Sequence, residues 1–222
     1  MQLGVLFSGG KDSAYAAWLA KKEGHEIACL ITIYSENKES YMFHTPGIEM
    51  VEEQAKLMEI PLVKQETLGV KEEEIEDLRR AIKKAIKKHA IEGIVTGALA
   101  SKYQASRIQA ICDSFKIECI NPLWGKNQIK LLEELLKNKF EVIVSGVAAY
   151  PFDRKWIGRK IDSKFIMEVK SLEEKYKLNP AGEGGEIETL VINCSLFKKE
   201  LKYEIIDVIG EGNSWRGIFK LR

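Results

Sequence analysis

The stretch Leu6-Phe7-Ser8-Gly9-Gly10-Lys11-Asp12-Ser13 lies near the start of this 222-residue chain, between a predicted strand and a predicted helix. An apolar run over Leu3–Phe7 predicts a buried strand, and helical spacing over Lys11–Glu23 predicts the helix that follows. Two glycines let the backbone turn tightly and approach an anion, while the helix start points free N–H groups at it. The stretch therefore predicts a phosphate-binding loop between a first strand and a first helix.

The side chains of this loop fit the same chemistry. The hydroxyls of Ser8 and Ser13 can donate to phosphate oxygens, and Lys11 supplies a positive charge. Asp12 fits a magnesium ligand, because carboxylates beside phosphates hold that ion. The spacing matches neither the Walker loop nor the dinucleotide fingerprint. The alternative is a structural strand-to-helix turn capped by serines.

Apolar runs and helical periods alternate through the first 124 residues, which predicts a doubly wound parallel α/β sheet. The predicted strands are Leu3–Phe7, Ile27–Ile33, Leu62–Lys64, Ile94–Thr96 and Ile117–Ile120. The pattern changes near Gly125, and three late strand candidates follow one another without helices between them. We therefore expect two domains, a nucleotide-binding domain over 1–124 and a smaller mixed α/β substrate domain over 125–222.

Composition limits the classes of function. The formal net charge is +1, so bulk charge favours neither nucleic acid nor membrane as a partner. The four cysteines are scattered, and the first residues lack a targeting pattern, so we expect a reduced, cytoplasmic protein. With 27 Lys, 27 Glu and six Gln, the chain shows a bias typical of thermophiles, here read as archaeal. The alternative is a set of solvated helix faces.

The phosphate loop resembles that of the N-type ATP pyrophosphatases, or PP-loop enzymes, which split ATP into AMP and pyrophosphate while adenylating a substrate oxygen. The resemblance implies a fold similar to the adenine nucleotide alpha hydrolases, with ATP and Mg²⁺ bound. It also implies that Ser8, Gly9, Gly10, Lys11, Asp12 and Ser13 hold the β- and γ-phosphates.

Three further segments, together with Asn121–Trp124, resemble the diphthine–ammonia ligase family. They are Ser40–His44, Gly97–Arg107 and the G-E-G-G-E-I-E-T motif over Gly182–Thr189. Members of that family amidate a modified histidine of elongation factor two, using ATP and ammonium, to complete diphthamide. The resemblance therefore implies elongation factor two as a protein substrate.

The loops that follow parallel strands meet at one edge of the sheet, where ligands bind. We expect Ile33 and Tyr34 to flank adenine, and Gly97 to permit close approach of the ribose or α-phosphate. Arg107 would stabilise charge developing on the α-phosphate. The remaining candidates, which would contact substrate, are His44, Ser101, Tyr103 and Gln104. The alternatives are a structural loop histidine at 44, a core-rim Tyr103 and a solvated Arg107.

Three carboxylates lie in the G-E-G-G-E-I-E-T motif, at Glu183, Glu186 and Glu188. Ammonia is mainly ammonium at neutral pH, so its site benefits from carboxylates that bind the cation and accept its proton. Glu186 and Glu188 would point to the same side of an extended chain. The alternative is an exposed acidic hairpin.

Three hypotheses about function follow. The first is an amide-forming ligase that passes through an acyl-adenylate, with the loop Tyr34–Gly47 as a lid that excludes water. The second is a tRNA-thiolating enzyme on the same scaffold, which the near-neutral charge and scattered cysteines disfavour. The third is an ATP-binding protein without chemistry. The sequence leaves a homo-oligomer open.

Overall fold

Five parallel strands form the first sheet of the computed structural model, which describes residues 1–35, 47–68 and 73–222. The strands are β1 (Gln2–Leu6), β2 (Glu26–Ser35), β3 (Leu62–Thr67), β4 (Gly93–Val95) and β5 (Glu118–Ile120). They lie in the order β3-β2-β1-β4-β5 and pair in parallel throughout. The chain order changes direction at β1 and β4, which is where open parallel sheets bind ligands.

Helices cover both faces of this sheet. They are α1 (Lys11–Lys22), α2 (Ile48–Met58), α3 (Glu73–His89) and α4 (Lys102–Phe115). Buried side chains of α1 and α2, such as Val51, join one apolar cluster, and those of α3 and α4, such as Ile82, join a second. Successive strand residues alternate between them, with Leu30 in the first cluster and Ile31 in the second. The doubly wound α/β fold predicted from the sequence is confirmed.

A second, antiparallel sheet lies in the later part of the chain. Its strands are β6 (Glu141–Ala148), β7 (Ile187–Asn193), β8 (Tyr203–Glu211) and β9 (Ser214–Leu221), in the order β7-β6-β9-β8. Helices α5 (Gln128–Lys137) and α6 (Ser163–Tyr176) accompany it, with a short 3₁₀ turn over Arg154–Trp156. This is the mixed α/β region expected from the change of pattern.

The two sheets share one core. The apolar cluster on the α1 face continues through α5, β6 and β7, and it includes the buried side chains of Tyr15, Phe140 and Leu190. The rings of Tyr15 and Phe140 meet edge to face with centroids 5.4 Å apart. The expected boundary after residue 124 falls between β5 and α5, where the chain passes from the first sheet to the second. The apolar core is continuous across this boundary.

The helices and the cysteines of the described residues bear on the expectations drawn from composition. No helix in the described ranges is long and apolar enough to cross a membrane. All four cysteines are free thiols, and Cys29, Cys112 and Cys194 are buried. Burial raises the pKa of the Cys29 thiol to about 12, so this side chain is not a thiolate at neutral pH.

Candidate active site

A cavity of about 580 Å³ opens where β1, β2 and β4 end, at the carboxyl edge of the first sheet. This volume lies in the range of small-molecule sites. Both sheets contribute to it, because Gly182 and Ile187 line it beside Leu6 and Thr96. The lining residues that the sequence had singled out are Ser8, Asp12, Ser13, Ile33, Gly97, Ser101, Tyr103, Gln104, Glu183 and Glu188.

The phosphate loop joins β1 to α1 as its sequence predicts. Gly9 has a φ of +82°, in the left-handed region that favours glycine, and Gly10 is the N-cap residue of α1. The hydroxyl oxygens of Ser8 and Ser13 lie 3.2 Å apart, and the Ser8 N–H donates to the Ser13 hydroxyl oxygen. The loop thus gathers two hydroxyls and the start of a helix at one corner of the cavity, an arrangement suited to an anion.

The outer edge of β7 is fastened to this loop. The N–H of Val191 donates to the Gly9 carbonyl oxygen at 3.0 Å, and the N–H of Lys11 donates to the Thr189 hydroxyl oxygen at 3.1 Å. Gly10 packs against the same strand, since a Cβ there would lie 3.2 Å from the Thr189 carbonyl oxygen. The last residue of the G-E-G-G-E-I-E-T motif therefore belongs to the phosphate loop's surroundings.

Lys11 is buried and is not among the residues that line the cavity. Its side chain is 4% exposed, and its Nζ lies 2.8 Å from Oδ2 of Asp12. The adjacent carboxylate holds the ammonium group at the base of the site. The other oxygen of Asp12, Oδ1, is buried without a hydrogen-bond partner among the described residues.

Glu183 links the second half of the chain to the loop after β4. Its Oε1 accepts hydrogen bonds from the backbone N–H groups of Ala100 at 2.9 Å and Ser101 at 3.0 Å. Burial is the main cause of a raised pKa at Glu183; the Ala100 N–H opposes the rise and the charge of Asp12 adds to it. A carboxylate with a raised pKa in a cavity is suited to accept and release a proton.

The other two glutamates are placed differently from each other. Glu186 precedes β7, and its carboxylate accepts from the Asn179 N–H at 3.1 Å, the Asn179 side-chain amide at 2.6 Å and the Gly184 N–H at 2.8 Å. It therefore braces the turn and is not among the residues that line the cavity. The alignment of Glu186 with Glu188 was expected only for an extended chain, and Glu186 lies in the turn just before β7 begins at Ile187.

Glu188 of β7 lies opposite Gly146 of the neighbouring strand β6. A Cβ on Gly146 would come within 2.8 Å of Glu188 Oε2, so a side chain there would push the carboxylate out of its present position. Oε1 of Glu188 lies 3.5 Å from the guanidinium of Arg216 on β9. Gly146 is paired with both Glu188 and Arg216 in the sheet, which sets the carboxylate and the guanidinium on either side of it.

The loop after β4 carries the remaining candidates. Ser101 is the N-cap of α4 and its side chain accepts from the Gln104 N–H at 3.4 Å. Gly97 makes its close contact with α1, since a Cβ there would lie 2.8 Å from the Ser13 nitrogen. Arg107 stacks 3.5 Å above the ring of Tyr103 and is not a lining residue of the cavity. Tyr103 thus stands between Arg107 and the site.

The two candidates on β2 differ in their position relative to the cavity. Ile33 is buried and lines the cavity, whereas Tyr34, the next residue of β2, does not line it. Alternation along the strand sends neighbouring side chains to opposite faces. His44 and residues 36–46 of the expected lid lie outside the described residues.

Sequence reasoning missed four residues around the site: Gly146, Thr189, Arg216 and Gln54, whose side-chain amide donates to the Gly9 carbonyl oxygen at 3.0 Å. Thr189 stood inside the quoted motif, and its hydroxyl was the available signal. The other three come from α2, β6 and β9, and no local pattern relates them to the loop, because the sheet pairing that brings β6 and β9 to the site is not readable from short stretches.

A doubly wound sheet with S-G-G-K-D-S after its first strand, and a cavity at that edge, is the arrangement of a PP-loop nucleotide-binding enzyme. Two family models match the chain: the diphthamide synthase N-terminal domain over residues 1–119 and the diphthamide synthase C-terminal domain over residues 127–221. The chain therefore belongs to the diphthamide synthase family, and it is a ligase, as its curated relatives are named.

Curated relatives agree with this assignment. The diphthine–ammonia ligase of Bos taurus is 31% identical over 94% of this chain and 85% of its own length. The Schizosaccharomyces pombe enzyme of the same name is 32% identical over 88% of this chain, which spans only 35% of that longer protein. A solved structure described as a predicted tRNA methyltransferase subunit from Methanocaldococcus jannaschii covers 90% of the chain at 22% identity, with a TM-score of 0.43.

Proposed function

We propose that this protein adenylates the carboxylate of diphthine on elongation factor two and then amidates it with ammonium, which yields diphthamide, AMP and pyrophosphate. The observation that carries the proposal is the meeting of the phosphate loop with Glu183 and Glu188 in one cavity. The names of the curated relatives support the choice of diphthine and ammonia as substrates.

The first half of the reaction uses the phosphate loop. ATP is a substrate, and the hydroxyls of Ser8 and Ser13 with the α1 N-terminus would hold its β- and γ-phosphates. An oxygen of the diphthine carboxylate attacks the α-phosphorus, the bond to the β-phosphate oxygen breaks, and pyrophosphate leaves. The carboxyl group is thereby joined to AMP, a better leaving group than hydroxide.

Magnesium fits the residues present at this point. The described residues hold no cluster of three or more metal-ligating side chains, but Mg²⁺ usually takes one or two carboxylates together with substrate phosphates and water. The unpartnered Oδ1 of Asp12 is such a carboxylate oxygen. When bound, the ion would neutralise phosphate charge in the transition state.

The second half of the reaction needs a site for ammonium and a base. We assign the base to Glu183, because its carboxylate lines the cavity and burial raises its pKa above that of an ordinary glutamate, which makes it a better proton acceptor. Glu188 would attract the cation. Glu183 takes a proton from ammonium, the resulting ammonia attacks the acyl carbon, AMP leaves with the electron pair of the broken carbon–oxygen bond, and the second nitrogen proton passes to water. Ser101, Tyr103 and Gln104, which line the cavity, would contact the protein substrate's side chain.

The decisive experiment incubates the protein with ATP, ammonium and elongation factor two that carries diphthine. We expect a mass change of the modified histidine peptide that corresponds to amidation, together with stoichiometric AMP and pyrophosphate. Sulfur transfer to tRNA in place of ammonium-dependent amidation would favour the thiolating alternative. ATP binding without either product would favour a non-catalytic nucleotide-binding protein.

A further inference from the structure

One side-chain amide ties three segments together beneath the phosphate loop. Gln54 of α2 is fully buried, and its Nε2 donates to the carbonyl oxygens of Gly9 at 3.0 Å and Val191 at 2.7 Å. The Val191 N–H donates to the same Gly9 oxygen at 3.0 Å. The Gly9 carbonyl is therefore held from two directions, by α2 and by β7.

The orientation of the Gln54 amide leaves one of its two polar atoms without a hydrogen bond. Its Oε1 is buried without a hydrogen-bond partner in the described part of the chain. Buried polar atoms are nearly always paired, and an unpaired acceptor is unfavourable. The two carbonyl oxygens fix which way the amide points. Its NH₂ group has two hydrogens to donate to them, whereas its own oxygen has none. Oε1 is left facing the loop, where a Cβ on Gly9 would lie only 2.5 Å away.

The consequence for the loop follows from the planar peptide bond. The Gly9 carbonyl and the Gly10 N–H belong to one trans peptide unit, so they point in opposite directions. Holding the carbonyl oxygen against α2 and β7 therefore turns the Gly10 N–H toward the cavity side. There it donates a hydrogen bond to the hydroxyl oxygen of Ser8, a residue that lines the cavity, with the nitrogen and oxygen 3.4 Å apart.

We propose that Gln54 is a positioning residue of the ATP site, which aims the Gly10 N–H at bound phosphate by bridging the Gly9 and Val191 carbonyl oxygens. The inference rests on the proposed function only in taking ATP as the ligand of the loop. Gln54 touches no reacting atom and acts through the peptide unit between Gly9 and Gly10. Glycine at both positions leaves this unit free to rotate unless something outside the loop holds it.

The test is the affinity for Mg²⁺-ATP measured by titration calorimetry, with thermal melting of the ligand-free proteins. Gln54→Met keeps the length of the side chain and removes the donor, and we expect affinity to fall at least about tenfold. Gln54→Glu should weaken binding further, because it sets a carboxylate against two carbonyl oxygens. Gln65→Glu is the matched control at a surface position, where Lys84 Nζ donates to Gln65 Oε1 at 2.7 Å and can pair with the new charge. Its affinity should stay within about twofold of the parent.

A folded Gln54→Met variant that binds Mg²⁺-ATP as the parent does would overturn the inference, even if it melted at a lower temperature. A parent protein that binds no ATP would instead contradict the proposed function. Should neither Gln54 variant fold, the side-chain amide signals of the ¹⁵N-labelled parent decide the matter. The Gln54 NH₂ resonances should shift on saturation with Mg²⁺-ATP while those of Gln65 stay in place, and a stationary Gln54 signal counts against the assignment.

Discussion

The hydroxyl oxygen of Thr189 accepts a hydrogen bond from the backbone N–H of Lys11 at 3.1 Å, across 178 positions of the chain. The N-cap residue of α1 is Gly10, whose side chain can offer no such acceptor. Helix N-termini leave N–H groups that need acceptors, and a hydroxyl commonly supplies one. Thr189 therefore caps α1 from the opposite sheet, next to Glu188 in β7.

Removing this cap should loosen the ATP site. We expect Thr189→Val, which keeps the shape and loses the hydroxyl, to lower the free energy of unfolding by about 1 kcal/mol and to weaken Mg²⁺-ATP binding. Urea unfolding and titration calorimetry measure the two effects. Thr189→Ser retains the hydroxyl and should lie close to the parent in ATP affinity. Equal affinities in the Val and Ser variants would show that the cap has no part in nucleotide binding.

Lys11→Ala should weaken ATP binding and abolish ATP turnover, because the loop loses its positive charge. Since Lys11 is buried against Asp12, the variant also leaves that carboxylate without its cation, and we expect a lower melting temperature as well. Product assays for AMP and pyrophosphate follow the turnover. Lys21→Ala, at an exposed position of the same helix, is the control. Normal ATP turnover in Lys11→Ala would contradict a role of the phosphate loop in the reaction.

Glu183 should set the acid limb of the pH profile for amidation. Only the ionised carboxylate accepts a proton, and its raised pKa moves the limb above the pH expected for an ordinary glutamate. Glu183→Gln should slow amidation by about 10²–10⁴-fold and abolish that limb. ATP–pyrophosphate exchange should continue, since the first half-reaction does not use the base. An unchanged profile in the variant would assign the base elsewhere.

The same shift of pKa predicts a pH-dependent stability. A carboxyl group whose folded pKa exceeds its unfolded value favours the folded state at low pH, and this contribution is lost as pH rises through the folded pKa. Glu183→Gln removes the ionisation. Its melting temperature relative to the parent should therefore rise as pH increases from about 4 toward neutrality. A difference that does not vary with pH would contradict the raised pKa.

Glu186→Gln should leave ATP affinity nearly intact and slow amidation less than Glu183→Gln does. Its carboxylate accepts from Asn179 and Gly184, so the amide replacement sets a donor against a donor and loosens the turn. Amidation measured against ammonium concentration separates the two variants. A triple Glu183→Gln, Glu186→Gln, Glu188→Gln variant with parental amidation at limiting ammonium would reduce the motif to an acidic turn.

Gly146→Ala tests the placement of Glu188. The new methyl group would meet Glu188 Oε2 at 2.8 Å and displace the carboxylate from its position beside Arg216. We expect a raised KM for ammonium with little change in the KM for ATP. Gly212→Ala, at a left-handed turn position with open space around it, serves as a control for a strained glycine replacement away from the cavity. Parental KM values in Gly146→Ala would rule out Glu188 as a cation-binding group.

Local sequence patterns predicted the elements of both sheets, since helical and strand periods are local properties. The phosphate loop was equally readable, because glycines, serines and a following helix lie within eight residues of one another. The role of Glu186 was not readable from the motif, because its carboxylate accepts from Asn179 and Gly184 within a turn whose shape depends on how that segment folds back. The contacts of Gln54 and Thr189 were beyond reach, since they depend on how distant segments pack.

Capping α1 through Thr189 also constrains how members of this family can diverge. The amino-terminal half supplies the nucleotide loop and the carboxyl-terminal half supplies its cap, so the two halves cannot evolve as interchangeable modules. A chimaera that joins residues 1–124 of this chain to the second half of a relative should keep its nucleotide affinity only if a hydroxyl-bearing residue stands in the place of Thr189. If the loop binds ATP as proposed, selection on nucleotide affinity would thereby act on a strand of the second sheet.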